Sequence, residues 1–307
     1  MSIIHSKLRV SQTSGRDILI NVNELIMSKI SRLTQITTWQ RALNAARRTI
    51  GKEPLSKEPS EEWEAKMLLA EHSPIRLVEY DWSWEQIQQW VTAHLVRHHE
   101  GCEKFVHSQR SDRRDLGIPR DELPQGALND MDMTANAQAI INISRKRLCS
   151  CASKETRDAW KQVIEEIKKV DPTLASKCVP ECLYRGFCPE FMSSCKYSQT
   201  LDYQKRLVEY RRTDCNPIWK QLPENSKIEI SNFGDLRNFD GKDILKTDLD
   251  KEGYLYYNDN GIVLYPHILV YRLFSSEPDD TICGIHSVYH LDSNKINNNI
   301  KNLKKKE

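Results

Sequence analysis

The chain has little net charge and no long apolar run. Its 307 residues carry 45 Lys/Arg against 43 Asp/Glu, a formal net charge of +2. So even a balance argues against a protein whose whole task is to track nucleic-acid or membrane charge. No apolar stretch reaches the ~18 residues that a membrane helix needs. The N-terminus has no apolar core of the kind found in secretory leaders. A cytoplasmic protein without a membrane partner is expected. Internal repeats and low-complexity linkers are also missing. The nine cysteines are an odd number in a long chain, which does not suit a secreted disulfide framework. Metal binding or plain burial is the expectation for them.

What is present changes in texture near residue 214. Residues 214–307 hold 12 Lys/Arg against 15 Asp/Glu, a net of −3, whereas residues 1–213 carry a net of +5. The first part is rich in helical signals. The second has short apolar runs between Asn, Asp and Gly, which read as small strands and turns with no helix of any length. Two domains are expected, 1–213 and 214–307, joined near Cys215-Asn216-Pro217.

Within the first part, the alternation of Ile18, Ile20 and Val22 suggests a strand. Helices are expected over Thr38–Ile50 and Glu61–Glu71, and a strand over Leu77–Trp82. Ser83 is a good N-cap, followed by Glu85 in the first turn. Ile87, Trp90, Val91, His94, Leu95 and His98 then recur at helical spacing, so a helix is expected from Ser83 to about Gly101. Ser108 to Asp132 reads as loop. A long helix is expected over Thr134–Lys169. On it, Asn136 and Arg147 fall within about 20° of one face, and Asn142 falls on another. A polar pair on an otherwise apolar helix either meets a partner or lies on a solvated face.

The densest chemical cluster is Arg97-His98-His99 followed by Lys104, His107, Gln109, Arg110, Arg113 and Arg114. Arginine suits bidentate phosphate recognition, and histidine adds donors with a tunable charge. Two readings of these residues stand: an anion pocket for a phosphorylated ligand, or a solvated basic loop.

The run from Val96 through Gly101-Cys102 to Ser108-Gln109-Arg110 resembles the signature of flavin-dependent thymidylate synthases, Arg-His-Arg-x-x-Ser-x-Asn-x-x-Ser-x-Arg. Asn136, Asn142 and Arg147 keep the family's spacing of two flavin-contacting Asn residues and the Arg that holds uracil. Ala152 and Glu155 continue the pattern, and His72-Ser73-Pro74 resembles an upstream element. The likeness covers about residues 34–170. It departs at His99 (Arg in the family), Cys102 (Ser), Lys104 (Asn) and His94 (Gln). Ser108 and Arg110 fit with one residue inserted.

The resemblance implies an α/β (α+β) fold, a sheet with long helices. It implies methylation of dUMP to dTMP with FAD as cofactor, and methylene-tetrahydrofolate and NADPH as co-substrates. Arg147 would be catalytic and would hold the base, with Arg97, Ser108, Arg110 and His94 completing the substrate site. Arg97, His98, His99, Asn136 and Asn142 would contact flavin. The family assembles as homotetramers with shared sites, so the Arg97 region and Arg147 need not meet within one chain. The substitutions leave open another C5 modification of a pyrimidine deoxynucleotide, such as hydroxymethylation.

Cys178, Cys182, Cys188 and Cys195 lie within 18 residues, among Pro and Gly bends. The residues admit a structural zinc site or free thiols.

The tail resembles phage homing endonucleases. Ile218-Trp219-Lys220 and Glu229–Asn238 look like the small module that precedes HNH nucleases. Val288-Tyr289-His290-Leu291-Asp292, Asn294-Lys295, Asn297-Asn298 and Asn302-Leu303 resemble the first half of the HNH motif. His290 would be the general base and Asn298 a companion. Tyr289 stands where a metal ligand is usual, so a truncated, catalytically silent module is expected. Together the two resemblances suggest a phage or prophage enzyme. Whether the tail binds DNA stays open, as does a third reading: a DNA-binding or nicking protein with an inert N-terminal scaffold.

Overall fold

A computed structural model describes residues 28–110, 112–113, 117, 119–191, 195–213, 216–241, 243–276 and 282–306. The strand expected around Ile18–Val22, and Cys215 of the expected junction, lie outside the described residues. In chain order the first elements are β1 (Lys29–Gln35), α1 (Trp39–Thr49), α2 (Glu61–Leu69), β2 (Glu79–Gln88), α3 (Gln89–Leu95), β3 (Cys102–Val106), β4 (Leu128–Asn136), α4 (Ala137–Arg147), α5 (Lys154–Val170), α6 (Pro172–Lys177), α7 (Glu181–Arg185) and α8 (Leu201–Arg211). The chain forms two compact units. One comprises residues 1–59 and 71–178; the other comprises residues 60–70 and 179–307. The division therefore falls at 178/179 rather than at the expected 213/214. The reason is that Val179, Cys182 and Leu183 build a small core with Tyr203 and Tyr210 of α8, and this core belongs with the C-terminal residues.

The first unit is organised by an antiparallel sheet in the order β1-β2-β4-β3. Tyr80, Trp82 and Trp84 alternate along β2 and are fully buried, the period-two pattern of a half-buried strand. Ser83 is therefore not a helix cap. It pairs with Asp132 in register and donates its Oγ hydrogen to Asp132 Oδ1 at 2.5 Å. A bulge follows between Trp84 and Ile87, with Gln86 at φ +57°. The extra residue returns Ile87 to the buried face. That shift of phase is what imitated a helical period. The helix itself is short and starts only at Gln89.

β4 occupies part of the segment expected as loop. Met131, Met133 and Ala135 alternate on its buried face. The long helix expected over Thr134–Lys169 is two. Asn136 caps α4, its Oδ1 accepting from Ala139 N at 2.9 Å. The chain leaves the helix at Leu148, turns through Cys149–Ala152 with Ala152 N on Cys149 O at 3.0 Å, and restarts at Lys154. Arg157 Nη1 reaches back to the carbonyls of Ser150 and Ala152 at 3.3 and 3.2 Å. Trp160 of α5 packs against Trp82 and Trp84 with ring centroids 6.0 and 6.4 Å apart. Beneath lies a buried carboxylate, Asp171. Its Oδ2 accepts from Trp39 Nε1 at 2.7 Å and from Tyr80 OH at 2.5 Å, and its Oδ1 caps α6 through Leu174 N at 2.7 Å.

In the second unit, α8 is followed by β5 (Trp219–Gln221), β6 (Ile228–Ser231), β7 (Leu236–Asn238), β8 (Asp248–Leu249), β9 (Leu255–Asp259), β10 (Ile262–Leu264), α9 (Pro266–Phe274), β11 (Val288–His290) and β12 (Leu303–Lys305). Small antiparallel pairings surround a core in which Ile230, Leu236, Val270 and Val288 are buried. The nine-residue α9 departs from the expectation of no helix here. Its consecutive Ile268, Leu269 and Val270 are all buried, and a helix enclosed on all sides carries no amphipathic period. No helix among the described residues is long and apolar enough to cross a membrane.

Candidate active site

The site in the first unit is assembled around the two ends of α4. At its N-terminal end, Asn136 N donates to Gly101 O at 2.9 Å. Gly101 has φ +70°, and a Cβ on it would stand 2.6 Å from Asn136 Nδ2. Only glycine lets the chain turn here against Asn136. At the C-terminal end, Arg147 Nε donates to His98 Nε2 at 2.9 Å and Nη2 donates to His94 O at 2.6 Å. Nε2 of His98 thus accepts, which places its proton on Nδ1 and leaves the imidazole neutral. Burial, then the charges of Arg147, Lys104 and His99, push His98 down to about 4. His94, whose Nδ1 lies 2.9 Å from Thr156 Oγ1, is lowered by burial and then by Arg147 and Arg97.

Three cations gather at this point. Arg97 adds its charge to Arg147, whose own pKa is lowered by burial and then by Arg97. Lys104 donates Nζ to His98 O, and also lies 3.3 Å from Cys102 O and 3.2 Å from Cys102 Sγ. No carboxylate among the described residues pairs with Arg97, Lys104 or Arg147. Positive charge without a counter-charge, half out of water, favours an anionic guest.

Other expected site residues stand elsewhere. Arg110 is exposed and turns its fork onto Asp112, Nε to Oδ1 at 2.9 Å and Nη2 to Oδ2 at 2.6 Å. Ser108 Oγ accepts from Arg110 N at 3.2 Å. No hydrogen bond joins either residue to the Arg147 group, so the structure does not bring Ser108 and Arg110 to it within one chain. His99 is exposed. Asn142 belongs to a second polar group that sequence reasoning missed. Its Oδ1 accepts from Gln138 Nε2 at 3.4 Å, Gln138 also donates to Glu71 Oε2 at 2.5 Å, and Glu71 pairs with Arg145. The spacing of Gln138, Asn142 and Arg145 at i, i+4 and i+7 on one helix face was the available signal.

Of the two readings of Cys178, Cys182, Cys188 and Cys195, the zinc site finds no support in how their side chains are grouped. Among the described residues no three His, Cys, Asp or Glu side chains are grouped to hold a metal ion. Cys178 is buried and hydrogen-bonds Ser144, and burial pushes its thiol up to about 12. A thiol so placed resists the ionisation that a zinc ligand requires. In the second unit, His290 is buried and its Nε2 lies 2.9 Å from Asn298 Oδ1. His267 and Tyr254 flank it, with centroids 5.4 and 6.0 Å away. Tyr289 points outward and is 41% exposed.

Comparison with known proteins bears on the first unit. Residues 117–173 match the family model described as thymidylate synthase complementing protein. The matched segment holds Asn136, Asn142 and Arg147, and begins after the Arg97–Arg110 run. A flavin-dependent thymidylate synthase of Clostridium tetani is 30% identical over 87 residues, which are 28% of this chain and 34% of the relative. The chain thus spans about a third of the length of that curated relative. Thymidylate synthase X from Helicobacter pylori, solved with FAD and dUMP, aligns at 14% identity over 50% of this chain and 99% of its own, with a TM-score of 0.42. The HNH homing endonuclease I-HmuI aligns at 26% identity over 29% of this chain and 52% of its own, with a TM-score of 0.25.

Proposed function

We propose that the first unit carries a flavin-dependent modification of a pyrimidine deoxynucleotide at C5, with methylation of dUMP to dTMP as the reaction. The observation that carries this reading is the cation group Arg97–Lys104–Arg147, without a carboxylate partner, around a neutral His98. Of this group, Arg147 stands on α4, within the segment that matches the thymidylate synthase family model, and it meets His98 from the preceding run.

The residues present fit a flavin nucleotide. The side chain of Asn136 lies directly against the Gly101 backbone, which fixes the amide at the N-terminal end of α4. Arg97 and His99 are exposed donors beside it, suited to phosphate oxygens and to a π-faced ring. When bound and reduced, the flavin supplies a hydride, and methylene-tetrahydrofolate supplies the carbon.

The chain's own residues position and stabilise. Arg147 stabilises negative charge that develops on the carbonyl oxygens of the base. His98 accepts from its Nε and the His94 carbonyl accepts from Nη2, so the guanidinium plane is held from two sides. Arg97 holds phosphate. Lys104, tied to the His98 carbonyl, raises the positive potential without taking part in proton transfer. A homotetramer would allow Ser108 and Arg110 to reach the site of a neighbouring copy.

The test is direct. Purified protein should be yellow, with flavin absorption near ~450 nm. Incubation with dUMP, methylene-tetrahydrofolate and NADPH should yield a product heavier by one methylene. A hydroxymethyl product would keep the site and change the outcome. Colourless protein that takes up neither FAD nor dUMP would defeat the proposal.

A further inference from the structure

Cys102 and Lys104 stand two apart on β3, an end strand in the sheet order β1-β2-β4-β3. Residues two apart on a strand share a face. Their cross-strand partners, Ala135 and Met133, are buried, so both side chains lie on the sheet face that carries the core. Cys102 is buried and Lys104 is half-buried. A cysteine is at home on such a face, and a lysine is not.

What holds the ammonium there is local. Lys104 Nζ donates to His98 O, to Cys102 O at 3.3 Å and to Cys102 Sγ at 3.2 Å. An ammonium has three hydrogens and accepts none, so these three contacts occupy it fully. The thiol donates its own hydrogen to His98 O at 3.3 Å. The sulfur therefore turns a lone pair toward Nζ. Among the described residues no carboxylate pairs with Lys104 to draw it elsewhere. The neighbours Gly101 and Glu103 are exposed, which leaves a short path for a molecule the size of peroxide.

A thiol oxidised to a sulfenic acid becomes an electrophile, and a nitrogen beside it can close on the sulfur. The flexible stem of a lysine allows the remaining approach. We propose that Cys102 and Lys104 are an oxidative modification site that switches off the anion preference of the Arg97–Lys104–Arg147 group. The oxidant is hydrogen peroxide. It transfers one oxygen to the thiol, and a water is released as the O–O bond is reduced. Nζ, after losing a proton to solvent, attacks the sulfenic sulfur. The S–O bond breaks, the hydroxyl takes a second proton from Nζ and leaves as water, and an S–N bond remains. Sulfur has given up two electrons. The ammonium has become an uncharged sulfenamide nitrogen, so the cation group keeps two of its three charges. This consequence rests on the reading of that group as the deoxyuridylate site.

The full chain is treated with hydrogen peroxide, freed of it with catalase, alkylated and digested with trypsin. Cleavage after Lys104 normally separates residues 98–104 from residues 105–110. A Lys104 bonded to sulfur is not cut, so residues 98–110 should appear as one peptide, lighter by two hydrogens than the same unoxidised stretch. Dithiothreitol should restore the two separate peptides. Cys102→Ser should give no linked peptide, and nor should Lys104→Arg, which trypsin still cuts. If either variant fails to fold, the reversal by dithiothreitol in the unaltered chain decides. By calorimetry, oxidation should weaken dUMP binding by ~3- to 30-fold, the order expected for one unit charge lost near a partly solvated site. Cys102→Ser should keep its dUMP affinity through the same treatment. The peptide requires neither flavin nor nucleotide, so failure of the reaction proposed above shows separately, as no dUMP binding before oxidation. A sulfenic or sulfinic acid on Cys102 with normal cleavage after Lys104 overturns the proposal. So does a linked protein whose dUMP affinity is unchanged.

Discussion

Arg147 donates its Nε proton to Nε2 of His98, 49 positions earlier in the chain, across 2.9 Å. The contact sets the tautomer of the imidazole and the plane of the guanidinium together. It makes His98 a positioning residue for Arg147 rather than a proton carrier. Arg147→Ala should abolish turnover with an unchanged far-ultraviolet spectrum. His98→Ala should lower kcat/KM by ~10- to 150-fold, the equivalent of about 1.5–3 kcal/mol for one charged hydrogen bond. His98→Gln, which keeps an acceptor, should recover part of the loss. Full activity in Arg147→Ala would remove the assignment.

Gly101 and Asn136 make the second test. Gly101→Ala forces a Cβ to within 2.6 Å of Asn136 Nδ2 at a backbone with φ +70°. The cost should be about 1–3 kcal/mol, seen as an earlier urea midpoint. Gly117→Ala has similar φ but open space around it, and should cost less. Equal midpoints for the two variants would show that the close approach is unimportant.

Asp171 joins three donors from separate elements. Asp171→Ala leaves the buried Trp39 indole and Tyr80 hydroxyl without their acceptor and removes the cap of α6. A loss of roughly 3 kcal/mol or more is expected from orphaned buried donors. Chemical denaturation followed by tryptophan fluorescence measures it, and a loss under ~1 kcal/mol would contradict the account.

His267 governs an acid sensitivity of the second unit. Burial pushes it down to about 4, with His290 and His286 adding in the same direction, while its hydrogen bond to Ile285 O and the charge of Asp250 oppose them. The unfolded chain would titrate it near 6.5. Between these values the unfolded state binds more protons. Its contribution to stability is complete above about 6.5 and is lost as the pH falls toward 4. Urea midpoints at pH 7, 5.5 and 4.5 should decline in that order, and His267→Phe should flatten the decline. An unchanged slope in the variant would place the sensitivity elsewhere.

The cysteines provide the last check. Cys178 is buried and its thiol is raised to about 12, whereas Cys151 and Cys283 are exposed. In the folded protein at pH 8 a thiol reagent should modify Cys151 and Cys283 and spare Cys178 until denaturant is added. Metal analysis should return no stoichiometric zinc. One zinc per chain would reinstate the cysteine cage.

Much of the first unit was legible from residue patterns. The helix starting near Trp39 and, in the second unit, the short helix from Glu61 follow from local periodicity and capping, as does the helix that Asn136 caps and Arg147 ends. The helix expected from Ser83 is instead a strand, because a bulge after Trp84 shifts the apolar phase into apparent helical spacing. Strand pairing on both sides of β2 outweighs the local cap signal. The break between α4 and α5 was missed because the apolar positions continue across it. Within the candidate site, the clustering of Arg97, His98 and Lys104 was visible as a run. The separation of Asn142 from Arg147, and its alliance with Glu71 and Arg145, was not.

The sequence alone determined which residue types stand on which helix face, where the basic run lies and how chemically different the two ends of the chain are. These are consequences of backbone geometry and composition, which act over a few residues. Tertiary structure decided which charges lack a counter-charge and which histidines stay neutral. Glu71 neutralises Arg145 from 74 positions away, while Arg147, two residues on, meets an imidazole and a carbonyl instead. Coulomb energy and desolvation depend on distance through space and on burial, and neither quantity exists until the chain has folded.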